Sequence, residues 1–280
     1  MSTRLQQRLA QTRSDGRAAL IGYIPAGFPT VADSISIIEA MVAGGCDVVE
    51  VGLPYSDPTM DGPTIQRAAG MALAAGTTPN EVLRVAGATA DTGAAALVMS
   101  YWNPVDHYGV SRFARDLAAT GASGMITPDL LPEEAGEWLE ASTATGLDRV
   151  FLVAPSSTDA RLASTTKACR GFVYAASLMG VTGTRTQVAN TAERLVGRTR
   201  AVLRTGLPTG LPTGEDALAV CVGLGISSGE QAAEVARYAD GVIVGAGFCQ
   251  RVLDAPDLAS ATKRVRAFAE ELSAGVRVDS

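Results

Sequence analysis

Short runs of β-branched and aliphatic residues recur along the chain at intervals too wide for hairpins. They cover 19–24, 47–51, 95–101, 124–127, 149–153, 171–175, 217–222 and 241–244. Each run is nearly continuously apolar, the pattern of a strand covered on both faces. Between them lie longer segments with apolar positions three and four apart, at 31–43, 110–120, 133–143, 159–168, 188–204 and 228–238. That spacing predicts amphipathic helices. Eight strands alternating with helices predict an α/β fold with a parallel sheet closed into a single (β/α)8 TIM barrel. An open doubly wound sheet is the alternative. It calls for a glycine fingerprint after the first strand, and Gly22-Tyr23-Ile24-Pro25-Ala26-Gly27 lacks the spacing.

Local chemistry adds start points and extra pieces. Thr30, Ser111, Ser228 and Asp257 stand where apolar periodicity begins and read as helix N-caps. Pro29, Pro79 and Pro132 mark passages from loop to helix. Three helices fall outside the repeating unit: an amphipathic N-terminal one around Leu5 and Leu9, one over 80–90, and a short one near 245–253. A Gly- and Pro-rich tandem repeat over 205–214 reads as an exposed loop without chemistry. At 280 residues the chain suits one barrel domain over 1–280.

Composition removes several function classes. The net charge is −6 and no Lys/Arg run is present, which argues against nucleic acid. An anionic substrate must then be held locally by backbone N–H groups. No segment has the length of a signal-peptide core or a membrane span. Cys46, Cys169, Cys221 and Cys249 show no CxxC spacing and read as buried thiols of a reducing cytoplasm. The single histidine, His107, reads as a surface or interface residue; a Ser-His-Asp site and a metal site both lack residues.

The run from Asp47 to Gln66 carries the most chemistry. If Val49 and Val51 face the helices, Glu50 points into the barrel near the C-terminal end of its strand. A charged residue there either pairs with a neighbour or works as a general acid/base at the mouth, where barrel sites lie. The loop that follows is stiffened by Pro54, Pro58 and Pro63. Asp61 precedes a helix beginning near Gly62, so N-cap and catalyst are both open for it.

The segment Glu50-Val-Gly-Leu-Pro-Tyr-Ser-Asp-Pro-Thr-Met-Asp-Gly-Pro-Thr-Ile-Gln66 resembles the signature of the tryptophan synthase α-subunit family. So do Tyr101-Trp-Asn-Pro104, Pro128-Asp129, Gly171-Phe-Val-Tyr174, Gly180-Val-Thr-Gly183, Gly223-Leu-Gly-Ile-Ser227 and Asp240-Gly-Val-Ile-Val-Gly245, in the family's order. The resemblance implies retro-aldol cleavage of indole-3-glycerol phosphate to indole and glyceraldehyde 3-phosphate, a lyase step of tryptophan biosynthesis. It makes Glu50 and Asp61 the catalytic carboxylates. Tyr174 would lie near the reacting carbons, and Tyr23, Met99, Tyr101, Ile126, Asp129 and Thr182 around the rest of the substrate. It also implies a β-subunit partner in an α2β2 heterotetramer, with pyridoxal phosphate in that partner and no cofactor in this chain.

Phosphate has its own expected cradle. Gly225 follows the seventh strand, and Gly245-Ala246-Gly247 the eighth. Barrel phosphate sites form from these two loops and a short extra helix. Gly183 would add a donor from the sixth loop, a lid by resemblance, where Arg185 is an anchor or simply solvated. The chain departs from the family's habit at Ala246, where Ser is frequent, at Leu224, where Phe is frequent, and in the 205–214 repeat. Other readings stay open: another phosphate-binding barrel, a stand-alone indole producer, or a weak subunit kept to activate its partner.

Overall fold

Alternation along one strand fixes what is inside and what is outside. In β2 (Val48–Gly52), Val48 packs with the barrel interior, whereas Val49 and Val51 pack against the helical layer. The computed structural model describes residues 2–176, 185–205, 218–223 and 225–277, without the side chains of 185–189 and 205. Eight parallel strands close in sequence order. They are β1 (Ala19–Pro25), β2, β3 (Ala95–Met99), β4 (Gly124–Thr127), β5 (Asp148–Val153), β6 (Phe172–Ala176), β7 (Ala219–Gly223) and β8 (Gly241–Val244). β8 returns to β1 with Ile243 opposite Ile21, so the sheet has no free edge.

The barrel interior is a packed core of Ile21, Val48, Leu97, Ile126, Val150 and Phe172, among others. Its floor is closed by α1 (Arg4–Ser14), whose Leu5 and Leu9 are buried in that same cluster. Asp148, fully buried at the start of β5, holds the helix there. It accepts hydrogen bonds from the Thr3 hydroxyl and from Gln6 Nε2, the latter at 2.7 Å, and pairs with Arg170 Nε at 3.2 Å.

The outer layer follows the expected order. α2 (Val31–Ala43) is capped by Thr30, whose hydroxyl accepts the Asp33 N–H at 3.1 Å. After β2 come α3 (Pro63–Ala74) and α4 (Pro79–Asp91), the second opened by a Thr78–Glu81 capping box with Pro79 in its first turn. After β3 come α5 (Trp102–Tyr108) and α6 (Val110–Ala119); α7 (Gly136–Thr145), α8 (Asp159–Ala168) and α9 (Arg185–Thr205) follow β4, β5 and β6. α10 (Gly229–Ala236) is capped by Ser228, and α12 (Leu258–Gly275) by Asp257, with α11 (Ala246–Leu253) between β8 and α12. Among the described residues no helix is long and apolar enough to cross a membrane.

Some expectations are corrected. Ser111 caps nothing: α6 begins before it, behind Gly109 at φ +94°, a conformation glycine adopts without strain. Pro132 does not open α7, which starts at Gly136. Glu133 instead turns outward to Arg161, at 3.3 Å. β3 stops at Met99, which leaves Tyr101 to lead into α5, a helix the periodicity did not predict. The repeat beyond Thr205, and Leu224, lie outside the described residues.

Candidate active site

Glu50 sits inside the barrel, near the C-terminal end of β2. It is 1% exposed and its Oε1 has no hydrogen-bond partner among the described residues. A glutamate buried for structure alone would pair its buried oxygens, and this one is left unpaired. Burial pushes its carboxyl up to about 8, which keeps the acid protonated near neutrality.

Two tyrosines face it. Tyr23 lies opposite Glu50 in the β1–β2 register, and Tyr174 lies on β6. Burial pushes both hydroxyls well above the ordinary tyrosine value, and the charge of Glu50 adds to each shift. Neither therefore ionises near neutrality; both remain donors. Each ring lies over a glycine of the adjacent strand. A Cβ on Gly52 would stand 2.4 Å from Tyr23 Oη, and one on Gly223 2.4 Å from Tyr174 Oη.

Asp61 comes from the loop between β2 and α3. Gly62, not Asp61, is the N-cap of α3, and no side chain caps that helix. The N-cap reading of Asp61 is thereby removed. Burial raises its carboxyl, and a hydrogen bond from Tyr101 lowers it in part. The Met60 N–H donates to Tyr101 Oη at 3.0 Å. The charge of Asp61 also raises the hydroxyls of Tyr23 and Tyr174, as that of Glu50 does.

Beside this cluster opens a cavity of about 460 Å³, lined by Met60, Pro128, Leu130, Leu152 and Ala154, among others. Met99 is half-buried on the interior core and Ile126 is fully buried within it, so Ile126 forms part of the floor beneath the mouth. Asp129 accepts the Trp102 N–H at 2.9 Å on one oxygen and 3.2 Å on the other. It thus caps α5, and its carboxyl is raised by burial, with the Trp102 bond opposing. Leu130 and Leu152 line this cavity without having been singled out in the sequence, and Tyr55, read there only as part of the proline-stiffened loop, packs on Tyr101. Leu152 shares the inward face of β5 with Val150, a signal the alternation carried.

At the opposite side of the mouth Gly225 adopts φ +64°, and Gly245 is the N-cap of α11 with Ala246 as its first helical residue. The first turn closes with Phe248 N–H to Gly245 O at 3.0 Å. Gly247 packs against the Phe268 ring, where a Cβ would come within 2.9 Å. The structure therefore brings Gly225, Gly245 and Ala246 to the ends of β7 and β8, as expected. Thr182, Gly183 and Gly180 lie outside the described residues. His107 is exposed on α5, and the described residues contain no cluster of metal-ligating side chains.

Residues 9–277 match the family model described as "Tryptophan synthase alpha chain". The chain belongs to the tryptophan synthase alpha chain family. It is 69% identical over 276 residues to the alpha chain of Thermobifida fusca, covering 98% of each chain, and 55% identical over 275 residues to that of Acidothermus cellulolyticus, covering 98% and 97%. A tryptophan synthase structure from Mycobacterium tuberculosis superposes with TM-score 0.87 at 50% identity, covering 100% of both chains. Subunit alpha from Legionella pneumophila gives 0.85 at only 28% identity, covering 99% of each. The α reaction of tryptophan synthase is a lyase reaction of tryptophan biosynthesis, and it is the activity of this chain. The barrel expected from periodicity is the family's barrel.

Proposed function

We propose that Glu50 and Asp61 divide the chemistry of indole-3-glycerol phosphate cleavage between them. The protonated Glu50 gives its proton to indole C3, and the ring becomes an indoleninium-like cation. Asp61, as carboxylate, takes the indole N–H as a hydrogen bond and stabilises that cation. The Glu50 carboxylate then removes the proton of the glycerol hydroxyl next to the scissile bond. The C–C bond breaks, its electrons return to the ring, and the new carbonyl becomes glyceraldehyde 3-phosphate. Glu50 ends protonated, as it began. A carboxyl held at about 8 suits both halves of this exchange.

The observation that carries the reading is the buried, unpartnered Glu50 oxygen at the barrel mouth. Tyr174 and Tyr23 border the reacting carbons, and the apolar cavity beside Leu152 and Met60 receives the benzo ring. Met99, Tyr101, Ile126, Asp129 and Thr182 complete the substrate surroundings. The phosphate rests on backbone N–H groups of Gly183, Gly225, Gly245 and Ala246, with α11 supplying a helix N-terminus.

The same proposal extends to the assembly. The chain acts as one barrel domain in the cytoplasm and docks a β subunit, in an α2β2 heterotetramer, through the face bearing the loop over 54–58 and α5. Pyridoxal phosphate belongs to that partner, and the chemistry above uses only side chains of this chain. Incubation of the purified chain with indole-3-glycerol phosphate, alone and with a β subunit, tests the reading. Equimolar indole and glyceraldehyde 3-phosphate, formed faster with the partner, is the expected result; no indole in either case contradicts it.

A further inference from the structure

The loop that carries Asp61 has no regular structure between β2 and α3, so its carboxylate must be placed by side-chain contacts. The Asp61 carbonyl accepts a hydrogen bond from Gln66 Nε2 at 2.8 Å. One residue before it, the Met60 N–H donates to the Tyr101 hydroxyl at 3.0 Å, which ties the loop next to Asp61. What orients Tyr101 is a second tyrosine. The Tyr55 ring lies 5.4 Å from the Tyr101 ring, centroid to centroid, at a tilt of 33°. The Tyr55 hydroxyl in turn accepts a hydrogen bond from Asn103 Nδ2 at 3.2 Å.

Both arms start from one fixed point. Tyr101 is the N-cap of α5 and Asn103 stands in the helix's first turn. That turn is anchored by the two Asp129 oxygens on the Trp102 N–H. From it, one arm reaches the Met60–Asp61 segment through the Tyr101 hydroxyl. The other runs through Asn103 and Tyr55 and returns onto the Tyr101 ring. An aromatic pair at this distance and tilt resists rotation of either ring, which a lone hydroxyl bond does not.

We infer that Tyr55 is a positioning residue: held by Asn103, it fixes the Tyr101 ring so that the Tyr101 hydroxyl keeps the Met60 N–H, and with it the adjoining Asp61, in place. The inference rests on the reading of Asp61 as catalytic, and Tyr55 touches neither substrate nor the reacting atoms in it. The titratable groups that sense Asp61 are Tyr23 from β1, Tyr101 before α5, Tyr174 from β6 and Cys249 from α11. All four are raised by burial and are uncharged near neutrality, so the Tyr101 hydroxyl is the group that lowers the Asp61 carboxyl against its burial. Its loss should move Asp61 titration to higher pH.

The test uses the full chain with carbon-labelled aspartate, the Asp61 carboxyl signal being assigned from Asp61→Asn. Tyr101→Phe is expected to raise the Asp61 titration point and to lower kcat/KM about tenfold, the scale of one hydrogen bond to a charged group. Tyr55→Ala should reproduce both changes, and the double variant should be no worse than either single one. Tyr55→Phe, which keeps the ring but loses Asn103, should cost about twofold to threefold. If Tyr55→Ala does not fold by circular dichroism, Tyr55→Leu carries the same comparison. An unmoved Asp61 titration in the Tyr55 variants, or losses that multiply in the double variant, overturns the inference. A moved titration with unchanged turnover upholds the positioning and removes Asp61 from the chemistry instead.

Discussion

Tyr174 and Gly223 are locked together across the β6–β7 pair: the hydroxyl of one occupies the space a Cβ of the other would need, 2.4 Å away. Real Cβ atoms do not approach so closely, so any side chain at 223 must move the ring. The same holds for Tyr23 and Gly52 across β1 and β2. The two aromatic groups about Glu50 are thus positioned by what the neighbouring strands lack.

Gly223→Ala should therefore displace Tyr174 and lower kcat/KM by about tenfold or more, a misplacement effect of the kind that positioning residues show. The barrel should remain folded, because the ring can swing toward the open mouth. Circular dichroism melting alongside indole release checks both halves; undiminished turnover would mean that Tyr174 has no bearing on the reacting carbons.

The pH dependence follows from Glu50. Its folded carboxyl stands at about 8, above the ordinary glutamate value of 4.5. The native chain therefore holds this proton more tightly than the unfolded chain. Its contribution to stability is complete below about 4.5 and is lost as pH rises toward 8 and beyond. Glu50→Gln should thus stabilise the protein more at pH 9 than at pH 5, by on the order of a few kcal/mol. Turnover of the native chain should fall as pH rises through about 8, when the initiating acid is lost. Denaturant melts at the two pH values and a pH–rate profile provide the measurements. An equal effect of the substitution at both pH values contradicts the burial argument.

Asp61→Asn separates position from chemistry. Because Gly62 is the N-cap of α3, the substitution should leave the melting temperature nearly unchanged. A neutral amide cannot stabilise a developing cation as a carboxylate does, so kcat should fall by roughly 100-fold. Equal kcat in the two proteins would leave Asp61 without a catalytic part.

Much of this was legible in the chain. The bounds of α2, α8, β4 and β8 coincide with those read from periodicity, because these elements bury a regular face and end at clear caps or breaks. Glu50 was legible because alternation alone turns it inward. α5 was not, since its cap comes from Asp129, 27 positions further on, across a strand boundary. The partnership of Tyr101 with Met60, 41 positions apart, is likewise set by strand pairing rather than local pattern. The tyrosine–glycine contacts need the barrel register before they can be seen. Leu152 was missed although its alternation with Val150 carried the signal.

The floor of the barrel should matter to stability and not to turnover. Leu5 on α1 is fully buried against the interior core. Leu5→Ala leaves a cavity there and should cost about 2–5 kcal/mol. The reacting groups lie at the other end of the strands, so kcat at a temperature where the variant is folded should be unchanged. A selective loss of kcat in a fully folded variant would show that α1 communicates with the mouth.

At the phosphate end, Ala246 opens α11 beside Gly245. Ala246→Ser places a hydroxyl where an anion would bind, and a hydrogen bond to a charged group contributes roughly 1.5–3 kcal/mol. KM for indole-3-glycerol phosphate should drop several-fold with kcat nearly constant, because the phosphate binds alike in ground and transition states. Steady-state kinetics decide it; an unchanged KM would place the phosphate out of reach of residue 246.

The most direct measurement is the kcat of Glu50→Gln for indole release from indole-3-glycerol phosphate, taken with a melting curve on the same sample. Glutamine keeps the shape and the burial but cannot pass a proton to C3 or take one from the hydroxyl. Turnover at least about 100-fold below the native chain, in a protein that melts no lower, is the predicted result. Near-native turnover in that folded variant would contradict the assignment of the buried carboxyl as the acid and base.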